Sequence, residues 1–194
     1  MREITTDSYG PAARTLLTMA FSESRPLALI FGAASAAALP DLHAMSAQTI
    51  SNNRRVRMPA DEEVLRAGLW LLFDYMEQSH DLSQKIATPS GSYWHAILHR
   101  REPDAPNAKY WFARVGEHPV FPELLGDALE IAAASGAAGT ALAKALEGMQ
   151  VWDADWFVDR CTISADPAAT KVLLDIQRRE WTLLFDYNYR KAFA

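Results

Sequence analysis

The chain has 194 residues and a formal net charge of −5, with 49 % hydrophobic and 22 % charged residues. This length predicts one domain over residues 1–194, since chains usually divide only beyond about 250 residues. The apolar content excludes a disordered chain, and the acidic balance excludes general nucleic-acid binding, which depends on neutralising phosphates. Ala and Leu outnumber Val and Ile by 54 to 15. Because unbranched side chains keep their rotamer freedom in a helix, we expect an all-α fold.

The cellular location is predicted from the ends and the longest apolar run. The first ten residues are polar and mixed in charge, unlike a signal peptide. The apolar run at residues 26–40 is shorter than the roughly 20 residues of a membrane-spanning helix, and it predicts a buried helix or a packed loop. The single cysteine, Cys161, excludes an internal disulfide and suits a reducing compartment. We therefore expect a cytoplasmic protein without a membrane segment.

Two segments predict the central helices of an irregular helical bundle. The first covers residues 60–80. It starts near Pro59 and has three carboxylates in its first turn. The second covers residues 166–192, with Asp166 as its N-cap and Pro167 as its first residue.

The pentapeptide Leu-Leu-Phe-Asp-Tyr occurs in both segments, at residues 71–75 and 183–187. The recurrence fits either chance with similar packing demands or related positions of two helices in one bundle. In either case Asp74 and Asp186 lie in apolar surroundings. We expect each carboxylate to contact a cation or a buried hydroxyl, because an unpaired buried charge is costly.

Shorter helices are predicted between and around these two. One runs to Arg101 and is capped by Ser90 or Ser92, and the next is opened by Asn107 and ended by Gly116. Further helices are expected over residues 122–135, 140–147 and 156–160, the last capped by Asp153 or Asp155. No segment alternates polar and apolar residues with period two, so no sheet is expected.

Two connections are notable. Pro103, Pro106 and Pro119 predict extended backbone at residues 103–106 and 117–121, which would fold the 107–115 helix back onto the helix before it. Residues 41–58 show neither the 3.6-residue period of a helix nor the two-residue period of a strand, so they predict a functional loop or an irregular wrapping segment.

The side chains best suited to catalysis or ligand binding lie in one 39-residue stretch, residues 80–118, which holds four of the five histidines. On a helix, His95, His99 and Glu102 fall within about 60° of one another, and they are the candidate catalytic residues. Glu77 precedes His80 by three residues, a pair that binds divalent metals when it is repeated on facing helices. If the two helices face each other, all five side chains converge on a metal site. Imidazole and carboxylate ligands favour Zn, Fe or Mn.

Other interpretations use the same residues. Without metal, they would satisfy one another as a structural polar network in a non-catalytic helical module. The zinc-protease motif H-E-x-x-H is absent, since the sequence between His95 and His99 is Ala-Ile-Leu. His80-Asp81 resembles the metal-binding doublet of helical phosphohydrolases, but that fold needs a separate upstream histidine, for which only His43 is available.

A small anionic ligand is the second expectation for this stretch. Five cationic side chains flank the turn after residue 101: Arg100, Arg101, Lys109, Arg114 and His118. Such groups bind a carboxylate or phosphate, or else they pair internally with nearby carboxylates such as Glu102, Asp104, Asp74 and Asp186. Arg54, Arg55 and Arg57 would be a further interaction surface, although three charges in one loop usually form a solvated face.

A resemblance is carried by the segment His95-x3-His99-Arg-Arg-Glu-Pro-Asp104 and its continuation Asn107-x-Lys109-Tyr-Trp-Phe-x-Arg114-Val-Gly-x-His118-Pro. It resembles a signature of a family of soluble proteins to which no activity is attached. The resemblance implies where a site lies and adds no mechanism. The sequence therefore predicts a small-molecule binding or enzymatic site within residues 80–118, with or without a metal. It predicts neither the reaction nor the oligomeric state.

Overall fold

A computed structural model describes residues 9–22, 27–52, 54–163 and 166–193. The described residues form eleven α-helices, one turn of 3-10 helix at Gly136–Ala138 and no strand, so the all-α prediction is confirmed. In chain order the helices are α1 (Pro11–Ser22), α2 (Leu39–Ala44), α3 (Ala47–Ser51), α4 (Pro59–Leu72), α5 (Met76–Ser83), α6 (Pro89–Arg101), α7 (Ala105–Val115), α8 (Phe121–Ala134), α9 (Thr140–Glu147), α10 (Ala154–Ile163) and α11 (Pro167–Phe193).

The long C-terminal helix α11 forms as predicted. Asp166 Oδ1 accepts a hydrogen bond from the backbone N–H of Ala168 at 3.0 Å, and Pro167 is the first helical residue. The helix then runs for 27 residues against α4 and α8. Its buried face carries Trp181, whose indole N–H donates to the carbonyl of Gly68 at 3.0 Å. This bond fixes α11 against α4.

The predicted helix over residues 60–80 is wrong in one respect, because the chain breaks it into α4 and α5. Asp74 has φ +64°, a left-handed conformation that ends α4. Arg101 is buried beside this turn. It donates to the carbonyl of Leu71 at 2.9 Å and forms an ion pair with the Asp74 carboxylate. A buried guanidinium needs carbonyl and carboxylate partners, and the break in the helix supplies them.

The two copies of the pentapeptide accordingly have different conformations. The first ends a helix and turns at Asp74, whereas the second lies wholly inside α11. Both carboxylates have partners, as expected. Asp186 accepts a hydrogen bond from the hydroxyl of Tyr9 at 3.0 Å and pairs with Arg190 at 2.6 Å.

The helices α6 and α7 form the tightest hairpin of the fold. Thr88 caps α6, accepting from the N–H of Gly91 at 3.2 Å, so Ser90 and Ser92 are not the cap. Asp104 caps α7 through the N–H of Asn107 at 3.2 Å, so α7 begins two residues earlier than predicted. The helix ends at Gly116 as expected.

The proline-rich connections are turns rather than extended segments. Pro106 lies in the first turn of α7, and residues 117–120 form a bend and a turn before α8. Even so, α7 folds back on α6 as predicted, because the short link leaves the two helices no room to separate.

The other helix starts follow the sequence closely. The helix α8 begins at Phe121, one residue before the predicted start, and α9 covers the predicted residues. The helix α10 is longer than the predicted 156–160, since it covers Ala154–Ile163. Asp153 caps it by accepting from the N–H of Trp156 at 2.9 Å, which decides between the two candidate caps.

The irregular segments upstream also differ from expectation. Residues 41–58 were predicted without regular structure, but α2 and α3 occupy part of them, with Ser46 as the α3 N-cap. Short amphipathic turns of five or six residues are too brief to show a period in sequence. Residues 27–38 form a packed loop, held by the Gln177 amide, which donates to the carbonyls of Leu27 and Ala28 at 2.7 and 3.0 Å.

The core is built mainly from α4, α6 and α11, with side chains such as Trp94, Trp181, Phe73 and Phe185 fully buried. In the part of the chain that the structure describes, no helix is both long enough and apolar enough to cross a membrane.

We predict that Asp74→Ala lowers the free energy of unfolding by about 3 kcal/mol, because it leaves a buried guanidinium without its counter-ion. The loss stays at the lower end of the usual range because Arg101 keeps carbonyl partners on Leu71 and Ala28. Urea unfolding measures it. The matched control is Asp175→Ala, which removes an exposed pair with Lys171 and should cost less than about 0.5 kcal/mol. Equal losses in both variants would contradict this account.

Candidate metal centre

Three imidazole rings meet where α5 packs against α6. His80 comes from α5, and His95 and His99 lie one turn apart on one face of α6. The ring centroid of His80 is 4.5 Å from that of His95 and 5.6 Å from that of His99, and the latter two are 4.7 Å apart. One nitrogen of each ring lies within 4.8 Å of the others. Among the described residues, this is the one group of His, Cys, Asp and Glu side chains gathered so closely.

A glycine permits this approach of α5 and α6. A Cβ atom on Gly91, in the first turn of α6, would lie 2.4 Å from the carbonyl oxygen of Ile86 in the connection that follows α5. Only a residue without a side chain fits so close to that backbone. The contact draws the start of α6 onto the end of α5, and the histidines one and two turns later face His80.

Hydrogen bonds orient two of the three rings. Ser83 lies one turn after His80, and its Oγ is 3.0 Å from Nδ1 of His95. The same hydroxyl lies 3.4 Å from the carbonyl oxygen of His80, and when its proton points to that carbonyl, Oγ accepts from Nδ1–H of His95. In His99, Nδ1 donates to Oε2 of Glu102 at 2.9 Å. Both tautomers leave the Nε2 lone pair for a further partner, as in metal sites where an outer partner fixes the imidazole.

The innermost ring is held neutral. His95 is 2 % exposed, and its ring packs against Trp111 of α7 at 4.0 Å between centroids. Burial lowers the pKa of His95 to about 3, with further lowering by the neighbouring His99 and His80. A neutral imidazole is the form that coordinates metals, since the protonated ring has no lone pair.

A cleft of about 370 Å³ opens onto this cluster. Its wall consists of two apolar side chains, two of the imidazoles and three carboxylates: Met76, Leu98, His80, His99, Glu77, Asp81 and Glu102. The three carboxylates are exposed to solvent at its rim. Among the residues that the structure describes, neither Lys nor Arg lines the cleft. The arrangement attracts cations and leaves room for a water or a small molecule beside the imidazoles.

The donor set fits a transition metal. Nitrogen ligands of a tetrahedral zinc ion lie about 2.0–2.1 Å from the metal and therefore about 3.4 Å from one another. Small ring movements would bring the three imidazoles from their 4.8 Å limit to this spacing. In the structure, Nδ2 of Asn107 lies 3.1 Å from Nε2 of His99. A metal on that nitrogen would displace the amide.

The predicted ligand set is thus brought together in part. His80, His95 and His99 form the cluster, and Glu102 touches it through His99. Glu77 lines the cleft without belonging to the cluster. His43 lies elsewhere, with its ring packed against Trp70 at 5.4 Å.

The two arginines of the expected anion site are buried in separate places. Arg100 forms an ion pair with Glu180 inside the core and donates to the side-chain oxygen of Gln177 at 3.2 Å. Because this pair is buried in the core, Arg100 does not line the cleft. Arg101 pairs with Asp74 at the end of α4. Internal pairing therefore accounts for both guanidinium groups.

The remaining three cationic candidates do not converge either. Lys109 pairs with Asp159 at 2.7 Å, and Arg114 is exposed, with its guanidinium 5.2 Å from the ring centre of Trp111. His118 is buried beside Ser90, at 3.2 Å between Nε2 and Oγ. Burial lowers the pKa of His118 to about 4, with a smaller effect from Lys191, so the ring is neutral near pH 7 and offers no charge to an anion.

Three side chains at the site escaped the sequence reasoning. Ser83 carried a readable signal, since it follows His80 by three residues on one helix face. Trp111 and Asn107 come from α7, and no spacing within α6 could place them against His95 and His99. Cys161 is buried, and burial raises the pKa of its thiol to about 12, so the thiol stays protonated and unreactive near neutral pH.

No protein-family model, curated protein sequence or solved structure matches the chain. The resemblance of residues 95–119 therefore stays a prediction from the sequence.

We expect the metal-free protein to lose stability as the pH falls from about 7 to about 5. His95 and His118 have folded pKa values of about 3 and about 4, below their ordinary 6.5. The unfolded chain therefore binds more protons in this range, and each proton favours unfolding. The measurement is urea unfolding at each pH. In His118→Gln, which removes one of the two groups, the decrease should be smaller. An identical decrease in both proteins would contradict the burial argument.

Proposed function

We propose that the chain binds one divalent transition metal through His80, His95 and His99 and presents it to small molecules in the adjacent cleft. The observation that carries the proposal is the convergence of three imidazole nitrogens within 4.8 Å, from two helices. Two of the rings have hydrogen-bond partners on Nδ1 that leave Nε2 as a donor to metal. The cleft meets His80 and His99 from the solvent side.

The chemistry of the donors favours Zn, Mn or Fe over Ca or Mg. Imidazole nitrogen is a ligand of transition metals, whereas Ca and Mg prefer shells made of oxygen. Three protein ligands leave a coordination position for water or substrate, which is the arrangement of catalytic rather than structural zinc sites. Such a metal, when bound, polarises a carbonyl or phosphoryl oxygen or acidifies a bound water.

The chain's own residues would do the rest. Glu102 holds His99 in the tautomer that exposes Nε2, at 2.9 Å. Ser83 does the same for His95 at 3.0 Å. Trp111 covers the inner face of the His95 ring and keeps water from that side. The wall of Met76 and Leu98 gives a bound molecule an apolar surface.

We predict stoichiometric metal in protein purified without an affinity tag or chelator. Added Zn²⁺ at about a hundred times its dissociation constant should stabilise the fold by about 2.7 kcal/mol, which raises Tm by about 5–10 °C for a chain of this size. In His80→Ala the binding should weaken at least about tenfold, because one of three ligands is lost. Elemental analysis, calorimetric titration and thermal unfolding measure these effects.

The matched control is His43→Ala, since His43 is an exposed imidazole outside the cluster. It should bind zinc as the unaltered chain does. Protein that contains no metal, and whose Tm does not respond to Zn²⁺, Mn²⁺ or Fe²⁺, would rule out the proposal.

A second prediction concerns Ser83, which touches no metal. Ser83→Ala removes the acceptor for Nδ1–H of His95 and should weaken zinc binding about 10–100-fold, the usual effect of losing an outer hydrogen-bond partner. The stoichiometry should stay at one metal per chain. Calorimetric titration at neutral pH measures both quantities. Unchanged affinity would show that the hydroxyl does not orient the ring.

The competing function is a structural polar network, and the Asn107 contact favours it. If Nε2 of His99 belongs to Asn107 at 3.1 Å, then Asn107→Ala should lower the thermal stability and leave the protein without metal affinity. If Nε2 belongs to a metal, Asn107→Ala removes a competitor and zinc binds as tightly as before or more tightly. The two outcomes separate the functions in a single variant.

A further inference from the structure

We infer that the cleft beside the three imidazoles takes a small organic cation, a protonated aliphatic amine, as its ligand. The inference deepens the proposed function and rests on it, since it concerns the molecule that reaches the metal. The carboxylates alone would not define a site. They matter because they line the same cleft as His80 and His99, two members of the imidazole cluster.

The lining of the cleft is acidic. Glu77, Asp81 and Glu102 line the cleft, and in the part of the chain that the structure describes no Lys or Arg lines it. A divalent metal would balance only two of the three carboxylate charges in the lining, so the site would keep a net negative charge. An anionic ligand would meet this repulsion, whereas an ammonium group would be attracted.

Two of these carboxylates have no ion-pair partner among the described residues. Within the described ranges, neither Glu77 nor Asp81 forms a salt bridge, and Asp81 accepts one long hydrogen bond, from Gln84 at 3.4 Å. The buried carboxylates Asp74 and Glu180, by contrast, are paired with arginines. Glu77 and Asp81 therefore keep their acceptor oxygens for a ligand.

The dimensions and the apolar wall of the cleft suit a short alkyl chain. Glu77 precedes His80 by three residues on α5, a separation of about 4.5 Å along the helix axis. Met76 and Leu98 supply the apolar part of the wall. A short alkyl chain can lie against them, with its ammonium group at the carboxylates and its other end at the imidazole cluster. The cleft volume of about 370 Å³ is at the small end of ligand pockets.

The test compares three probes of equal length and different charge: 5-aminopentan-1-ol, pentane-1,5-diol and 5-hydroxypentanoate. Each is titrated calorimetrically into zinc-loaded protein at low ionic strength. The amine should bind at least about tenfold more tightly than the diol or the carboxylate. Its advantage should shrink at physiological salt because the carboxylates are exposed. Equal binding of all three probes, or preference for the carboxylate, would overturn the inference while leaving metal binding intact.

Variants identify the groups responsible. In the double variant Glu77→Gln, Asp81→Asn, the preference for the amine should fall about tenfold or more, with zinc bound at the same stoichiometry. The matched control is Glu147→Gln, which removes an exposed carboxylate on α9 and should keep the full preference. Both side chains of the double variant are exposed, so its thermal unfolding should match that of the unaltered chain.

Three outcomes would overturn the inference. Loss of zinc from the double variant would make these carboxylates metal ligands. Displacement of the amine by equimolar Mg²⁺ would assign the rim to inorganic cations. Retention of the full preference would place the amine elsewhere. Failure of zinc to bind the unaltered chain is a different result, which rejects the proposed function itself.

Discussion

The buried contact of Arg101 with the end of α4 is the constraint on which the arrangement of the site depends. Its guanidinium donates to the carbonyls of Leu71 and Ala28 and pairs with Asp74. One side chain on α6 thereby fixes the end of α4, the turn into α5 and the loop that precedes α2. Removing a buried cation from water is costly unless carbonyl and carboxylate oxygens replace that water. This requirement explains why an apolar helix stops at Asp74 when its sequence could continue.

The position of the imidazole cluster follows from that turn. His80 lies six residues after Asp74, and His99 lies two residues before Arg101. The ion pair therefore joins the two helices close to the residues that must meet. Gly91 brings the other end of α6 near α5 by removing a side chain from the contact. With both ends fixed, one nitrogen of each of the three rings lies within 4.8 Å of the others.

The site combines an enclosed interior with an acidic opening, and each part has its own role. His95 is buried and neutral, packed beneath Trp111, so its lone pair is available over the whole ordinary pH range. The carboxylates at the rim are exposed and charged, where they attract cations at long range. The buried pair of Arg100 and Glu180 lies apart from the imidazole cluster and holds α6 to α11 in the core.

The sequence by itself determined the helical class, the starts of α9 and α11, and the pair of His95 and His99 on one face of a helix. These features depend on neighbours in the chain, on capping, and on the 3.6-residue period, which are local. The sequence also showed that Asp74 and Asp186 need partners, because burial of a carboxylate has a known cost.

Only the tertiary structure decided which partners these groups have. Arg101 lies 27 residues from Asp74, and Arg100 lies 80 residues from Glu180. The contacts of Trp111 and Asn107 with the histidines depend on how α7 folds back. The five cationic side chains that the sequence places near one turn lie in different surroundings. Arg100 and Arg101 form buried ion pairs because desolvation requires a counter-ion. The other three lie apart: Lys109 pairs with Asp159 at the surface, Arg114 lies against Trp111, and His118 is buried beside Ser90. Spacing along a helix fixes which residues share a face, whereas the packing of helices decides what each face meets.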